Sequence, residues 1–167
     1  AWTVTTSPGQ TVLTNGKLLA TEPSADGASA VWRFAPTKPM ASYLIALAIG
    51  QFASTEERTV NGVPLRIWAL KGKESLGAFA LDITAQLLPF YENYFAAPYH
   101  FGKLDNLGVP NFGAGAMENA GLIISQAVVL LLDEKAASRR QELTVAEVTA
   151  HEFAHMWFGD LVTMRWW

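Results

Sequence analysis

The chain has 167 residues, enough for one ordinary domain or parts of two. Half of it is hydrophobic and 16% is charged, with six Trp and nine Phe, which excludes a disordered polypeptide and supplies ample core material. The net charge of −3, without a basic run, argues against nucleic acid as a partner, and the lack of cysteine excludes disulfides and thiolate-held metals.

Residues 1–70 read mainly as strands. Residues 2–6 and 11–14 are β-prone and are separated by the turn Ser7-Pro8-Gly9. Asn15-Gly16 predicts a hairpin turn into a strand at 17–21. The polar stretch 22–28 reads as a loop, 30–35 as a strand, and 43–52 as one buried strand ending near Gly50. Asn61-Gly62 is a second hairpin signal, placed before the alternating residues 63–70. Short strands at this spacing predict a sandwich or saddle-like β domain.

The composition changes at Lys71-Gly72-Lys73, where a domain boundary is expected. Residues 75–95 have helical spacing (Leu76, Phe79, Ala80, Ile83, Leu87, Tyr91 and Tyr94), with Pro98 as the stop. Residues 101–109 read as a strand, 113–121 as a glycine-rich stretch and 122–132 as an apolar strand. The longest apolar runs, 43–49 and 127–132, are far too short to span a bilayer. The fold class is therefore α+β: 1–70 as the end of a β domain, and 71–167 as the start of a second domain. The chain begins without methionine on a strand-like run and ends on Trp166-Trp167, bulky residues expected in a core or interface. An internal piece of a longer protein is the expectation, with any signal peptide or anchor upstream and the compartment open.

Two constellations carry chemistry. His151-Glu152-Phe153-Ala154-His155 is an H-E-x-x-H pattern. On a helix, residues four apart share a face, so His151 and His155 can aim imidazoles at one metal ion. Glu152 can then reach a water on that ion, whose pKa zinc lowers toward about 7. The segment reads as a helix, with Thr144 and Glu147 as a capping box and Gly159 as the C-terminal stop. The chain holds three histidines, two of them here; the third, His100, reads as structural.

The second constellation is Gly113-Ala114-Gly115-Ala116-Met117-Glu118-Asn119. It reads as an edge strand, or a loop leading to one, able to add a substrate peptide by main-chain hydrogen bonds. Glu118 would place a carboxylate near the end of that peptide, a suitable partner for a protonated α-amine. A plain glycine turn with a surface glutamate is the competing reading.

Together, Gly115-Ala116-Met117-Glu118-Asn119 and His151-Glu152-Phe153-Ala154-His155 resemble the aminopeptidase N family, the gluzincin aminopeptidases. Lys38-Pro39-Met40-Ala41-Ser42-Tyr43-Leu44 and the run from Met156 to Met164 resemble the same family, so the likeness covers nearly the whole chain. It implies a β saddle followed by the opening part of a thermolysin-like domain, and a zinc aminopeptidase acting on peptides with a free N-terminus. His151 and His155 would be ligands of one zinc ion, and Glu152 the general base and later proton donor. Glu118 would bind the substrate amine. Gly115 and Ala116 would offer backbone groups, and Met117 and Asn119 would complete the substrate-binding motif, Asn119 orienting Glu118 or the strand.

The third zinc ligand in this family, a glutamate about eighteen residues beyond the second histidine, would lie past Trp167, as would a transition-state tyrosine. The 167 residues alone are therefore expected to bind zinc weakly and to hydrolyse little. Asp105, Asp133 and Asp160 have no motif support as substitutes. Ala120 stands where an aromatic residue is frequent in the family, and Asp160 where Asn is also common. Asp160 reads as a helix-end cap or surface aspartate, with a partnership to a zinc histidine as the alternative. The family's epoxide-hydrolase branch, a non-catalytic peptide-binding relative and a thermolysin-type endopeptidase are the other readings. Glu118 argues against the last, since an enzyme cutting mid-chain has no amine to bind. Cobalt or manganese could replace zinc in vitro.

Overall fold

The computed structural model describes residues 1–25 and 27–165. The expectation for Trp166 and Trp167 lies outside these residues. Among the described residues the architecture is α+β, with eleven strands in three sheets and two α-helices.

The strands β1 (Thr3–Thr6), β3 (Leu18–Pro23) and β4 (Ala30–Phe34) form an antiparallel sheet in the order β1-β4-β3. Strand β2 (Thr11–Thr14) pairs instead with β5 (Leu47–Gly50). The third sheet has the order β10-β11-β9-β8-β6, from β6 (Phe52–Ser54), β8 (Val63–Leu70), β9 (Leu104–Val109), β10 (Ala116–Met117) and β11 (Leu122–Gln126). Its sixth strand, β7 (Arg58–Val60), also pairs with β8. This sheet runs across residue 71, with β6–β8 before it and β9–β11 after it.

The alternation expected over 63–70 is present: Val63, Leu65, Ile67 and Ala69 are buried in turn. Asn61 and Gly62 both adopt positive φ, 50° and 80°, as the tight turn between β7 and β8 requires. The parallel pair β8–β9 is crossed over by α1 (Ala78–Tyr94), which packs on β8. Val63, Leu65, Ile67, Leu81, Leu88, Leu104, Ile123 and Phe153 share one core between the sheet and the helices. A smaller core, with Leu13, Ala46, Leu107 and Leu122, lies on the sheet's other face.

Several expectations are corrected. Asn15-Gly16 is not a hairpin turn: β2 does not pair with β3, and neither residue has positive φ. Gly16 is required by close approach, because a Cβ there would sit 2.4 Å from the Ala35 carbonyl oxygen. The stretch 43–52 is not one buried strand. It holds a 3-10 turn (Ser42–Leu44), β5 and β6, with Tyr43, Ile45, Leu47 and Ile49 exposed. The apolar run 122–132 leaves the sheet after Gln126 through a 3-10 turn (Ala127–Val129). The helix α1 is stopped before Pro98. Ala96 adopts φ 50°, its N–H bonds to the Asn93 carbonyl, and the Ala97 N–H bonds to the Glu92 carbonyl.

Candidate metal and substrate site

The second helix, α2 (Arg139–Ala154), carries the histidine pair at its C-terminal end. Its capping box is Ser138 and Gln141, not Thr144 and Glu147. The Gln141 N–H donates to Ser138 Oγ, and the Ser138 N–H donates to Gln141 Oε1 at 2.9 Å. Thr144 lies within the helix, its hydroxyl donating to the Arg140 carbonyl at 3.0 Å. The helix also ends earlier than Gly159 implies, since His155 is its C-cap.

Aromatic packing against α1 fixes this end. Phe153, between the histidines, is fully buried and meets the Tyr91 ring edge-on at 5.6 Å. The Tyr91 hydroxyl donates to the Ala150 carbonyl at 2.9 Å, and Trp157 Nε1 donates to the Ala97 carbonyl at 2.9 Å. These bonds flank the H-E-x-x-H segment and hold its last turn on the core.

His151 and His155 present their Nε2 atoms to each other at 3.2 Å. Nδ1 of His155 lies 3.0 Å from the Phe158 carbonyl, which only accepts, so Nδ1 carries the proton and Nε2 offers a lone pair. Two imidazoles held 2.0–2.1 Å from a tetrahedral zinc ion have nitrogens about 3.3–3.4 Å apart, so the pair fits such an ion. Among the described residues no set of three His, Cys, Asp or Glu side chains converges as a metal site. Asp105 is committed to Lys103 at 2.8 Å, and Asp133 accepts from the Lys135 N–H.

Glu152 is buried, and its Oε2 has no partner among the described residues. Burial is the main influence on its carboxyl and raises the pKa; His151 and His155 oppose this, and Glu118 adds to it. An orphaned carboxylate oxygen next to two converging imidazole nitrogens is what an aqueous general-base site requires.

The Asp160 side chain is neither at the surface nor bonded to a histidine ring among the described residues. Its backbone N–H donates to the His155 carbonyl at 2.9 Å, but its carboxyl is buried and neither oxygen has a partner among the described residues. Burial first, then Glu118 and Glu152, push its pKa up to about 8.

Glu118 and His155 line one cavity of about 690 Å³, together with Tyr43, Phe158, Met164 and Arg165 among others. This brings the two sequence constellations, thirty-odd residues apart, to one opening. Tyr43 was not anticipated as a wall of the site; the only signal was its place in the Lys38–Leu44 resemblance. His100 lies elsewhere, exposed, with Nε2 2.7 Å from Lys38 Nζ.

The glycine-rich stretch contains β10, which is the edge of the six-stranded sheet. Ala116 pairs with Ser125 and Met117 with Ile124. Gly115 donates to the Phe112 carbonyl at 3.0 Å and accepts from the Gln126 N–H at 2.7 Å, so its backbone groups bond within the chain. The next residue, Ala116, then has its N–H and carbonyl turned toward the open edge, because facing pairs alternate in an antiparallel ladder. Asn119 is buried, and its Nδ2 donates to the Leu44 carbonyl at 3.3 Å.

The Peptidase family M1 domain matches residues 79–167. The chain is 40% identical over 157 residues to the puromycin-sensitive aminopeptidase of Caenorhabditis elegans, covering 94% of this chain and 17% of that protein. It is 48% identical over 128 residues to aminopeptidase M1-C of Oryza sativa subsp. japonica, covering 77% of this chain and 15% of that protein. To endoplasmic reticulum aminopeptidase 2 of Bos taurus it is 45% identical over 134 residues, covering 80% of this chain and 14% of that protein. The chain thus spans between 14% and 17% of the length of these three relatives.

Proposed function

The chain belongs to peptidase family M1, and from this we propose that it supplies the metal-binding and amine-binding portion of a zinc aminopeptidase that removes single residues from free peptide N-termini. The observation that carries this reading is the 3.2 Å convergence of His151 and His155 Nε2 beside the buried Glu152 carboxylate, at a cavity that Glu118 also lines. The aminopeptidase names of the relatives support it. In this reading the chain combines the end of a β saddle with the opening of a thermolysin-like domain.

His151 and His155 would hold the zinc ion, with a glutamate expected about eighteen residues beyond His155 as the third ligand. When bound, the ion supplies Lewis acidity toward the scissile carbonyl and toward water. Glu152 takes the proton from the attacking water and returns it to the departing amine. Glu118 binds the substrate's ammonium group, and Ala116 bonds the substrate backbone along the open edge of β10. Met117 and Asn119 support that edge from within the motif.

The test uses the full-length protein that contains this chain. Free aminoacyl substrates should be hydrolysed, hydrolysis should stop on chelation and return with zinc, and Glu118→Ala should impair free-amine substrates by about 10- to 100-fold, the loss of a charge-assisted bond. Equal impairment of N-acetylated and free substrates would refute the amine-binding role. No hydrolysis by the zinc-loaded protein would leave a peptide-binding relative.

A further inference from the structure

Asn15-Gly16 is the one sequence motif left without a purpose once the hairpin expectation fails. Asn15 is almost fully buried, and its amide group makes three hydrogen bonds. Nδ2 donates to the Leu44 carbonyl at 2.8 Å and to the Ala120 carbonyl at 3.0 Å, and Oδ1 accepts from the Ala46 N–H at 2.8 Å. One side chain therefore joins three segments that are far apart in sequence. Two of them bear on the site. Leu44 follows Tyr43, which lines the cavity, and Ala120 directly follows the motif that carries Glu118.

The junction is tight as well as bonded. The Leu44 carbonyl also accepts from Asn119 Nδ2 at 3.3 Å, so Asn15 and Asn119 meet at one oxygen. Gly121 has φ +72°, and a Cβ there would approach the Asn15 carbonyl oxygen to 3.2 Å and the Lys103 carbonyl oxygen to 3.3 Å. The Gly121 carbonyl in turn accepts from Lys103 Nζ at 2.7 Å. The backbone just beyond Glu118 is thus held on several sides. Asn15 supplies the link to the Tyr43 wall, and its donors point at two carbonyls that would otherwise be buried near one another.

We propose that Asn15 is a positioning residue for amine recognition: by tying Ala120 to Leu44 it sets Glu118 against the Tyr43 side of the cavity, so the N-terminal β segment helps determine preference for a free N-terminus. This rests on the proposed amine-binding role of Glu118. A side chain that only filled space would leave that preference unchanged on replacement by a group of equal size.

The experiment compares two inhibitors of the full-length zinc-loaded protein, leucine hydroxamate and its analogue lacking the α-amine. Their ratio of Ki values reads the amine subsite, while the amine-free compound alone reads the metal site. Two variants are used. Asn15→Ala removes all three bonds, and Asn15→Asp keeps the size and the acceptor for Ala46 while setting an oxygen against the two carbonyls. The expected result is a collapse of the ratio by about 5- to 10-fold in both, the equivalent of losing about one hydrogen bond's worth of positioning. The amine-free Ki and the zinc content should stay within about twofold of the parent. Asn15→Asp with a parental ratio, a parallel weakening of both inhibitors, or failure of both variants to fold each overturns the proposal in favour of a purely structural role. A ratio near one in the parent protein would instead refute amine binding by Glu118 itself.

Discussion

Replacing Lys103 by Met isolates the buried ion pair that underlies the Glu118 segment. Lys103 Nζ and Asp105 Oδ2 are 2.8 Å apart, with side chains only 8% and 6% exposed, and Nζ also bonds the Gly121 carbonyl. Methionine has a similar length, so packing is largely kept, but Asp105 is left as an unpaired charge in the core. Such a loss costs about 3–5 kcal/mol. Asp105→Asn should cost about 3 kcal/mol, the lower end of that range, because the lysine loses its counter-charge but keeps its carbonyl acceptor and exchanges a carboxylate oxygen for an amide oxygen. The double variant Lys103→Met, Asp105→Leu removes both charges. It should fall within about 1–2 kcal/mol of the parent, since the Gly121 carbonyl still accepts from the Asp105 position's backbone N–H at 3.2 Å. Amide hydrogen exchange of peptides covering β9 and β11 in the full-length protein reads these values locally. Protection in Lys103→Met should drop by roughly two to three and a half orders of magnitude. A drop below about tenfold, or a double variant as damaged as Lys103→Met alone, would refute the account of a pair stabilised by mutual burial.

Ala96→Gly should stabilise the helix end by about 0.5–1 kcal/mol, because alanine is held there at φ 50° and glycine adopts that conformation without steric cost. Slower exchange of the last α1 amides would report it; faster exchange would contradict it. The Asp160 carboxyl, with its pKa raised from 3.8 to about 8, keeps in the native state a proton that the unfolded chain releases. In the metal-free protein its contribution to stability is therefore fully present below pH about 4 and is lost as pH rises toward 8, at a slope of at most about 1.4 kcal/mol per pH unit. Asp160→Asn should flatten thermal melting across that range, and an unchanged slope would exclude the aspartate as its source.

Much of the site was legible because its spacing is local. Four residues separate the histidines, and one helix converts that number directly into a 3.2 Å approach of their nitrogens. The alternation in β8 was legible for the same reason, since it needs only a period of two. What failed was non-local. Asn61-Gly62 and Asn15-Gly16 are the same dipeptide, yet only the first has the positive φ values of a tight turn. The second is shaped by Ala35, Leu44, Ala46 and Ala120, which no window around residue 15 contains. The same bonds explain why 43–52 is not one strand: the Leu44 carbonyl and the Ala46 N–H are taken by side chains rather than by a neighbouring strand. The start of α2 was misplaced because Thr144 and Glu147 have capping-box spacing too, and the polar first turns of the helix hide its true beginning. The surroundings of Asp160 were not legible because Glu118, whose charge bears on its carboxyl, arrives from another element.

The early end of α2 has an electrostatic consequence. His151 lies in its last turn and His155 is its cap, so both imidazoles stand at the end that carries the partial negative charge of the helix. A cation held there is favoured by about 0.3–1 kcal/mol per unit charge at an exposed helix end, and by more where water is excluded. A divalent ion held by the two imidazoles gains this twice. The backbone thus favours a metal cation at this end before any ligand chemistry is counted. A helix running on to Gly159 would have forfeited that bias.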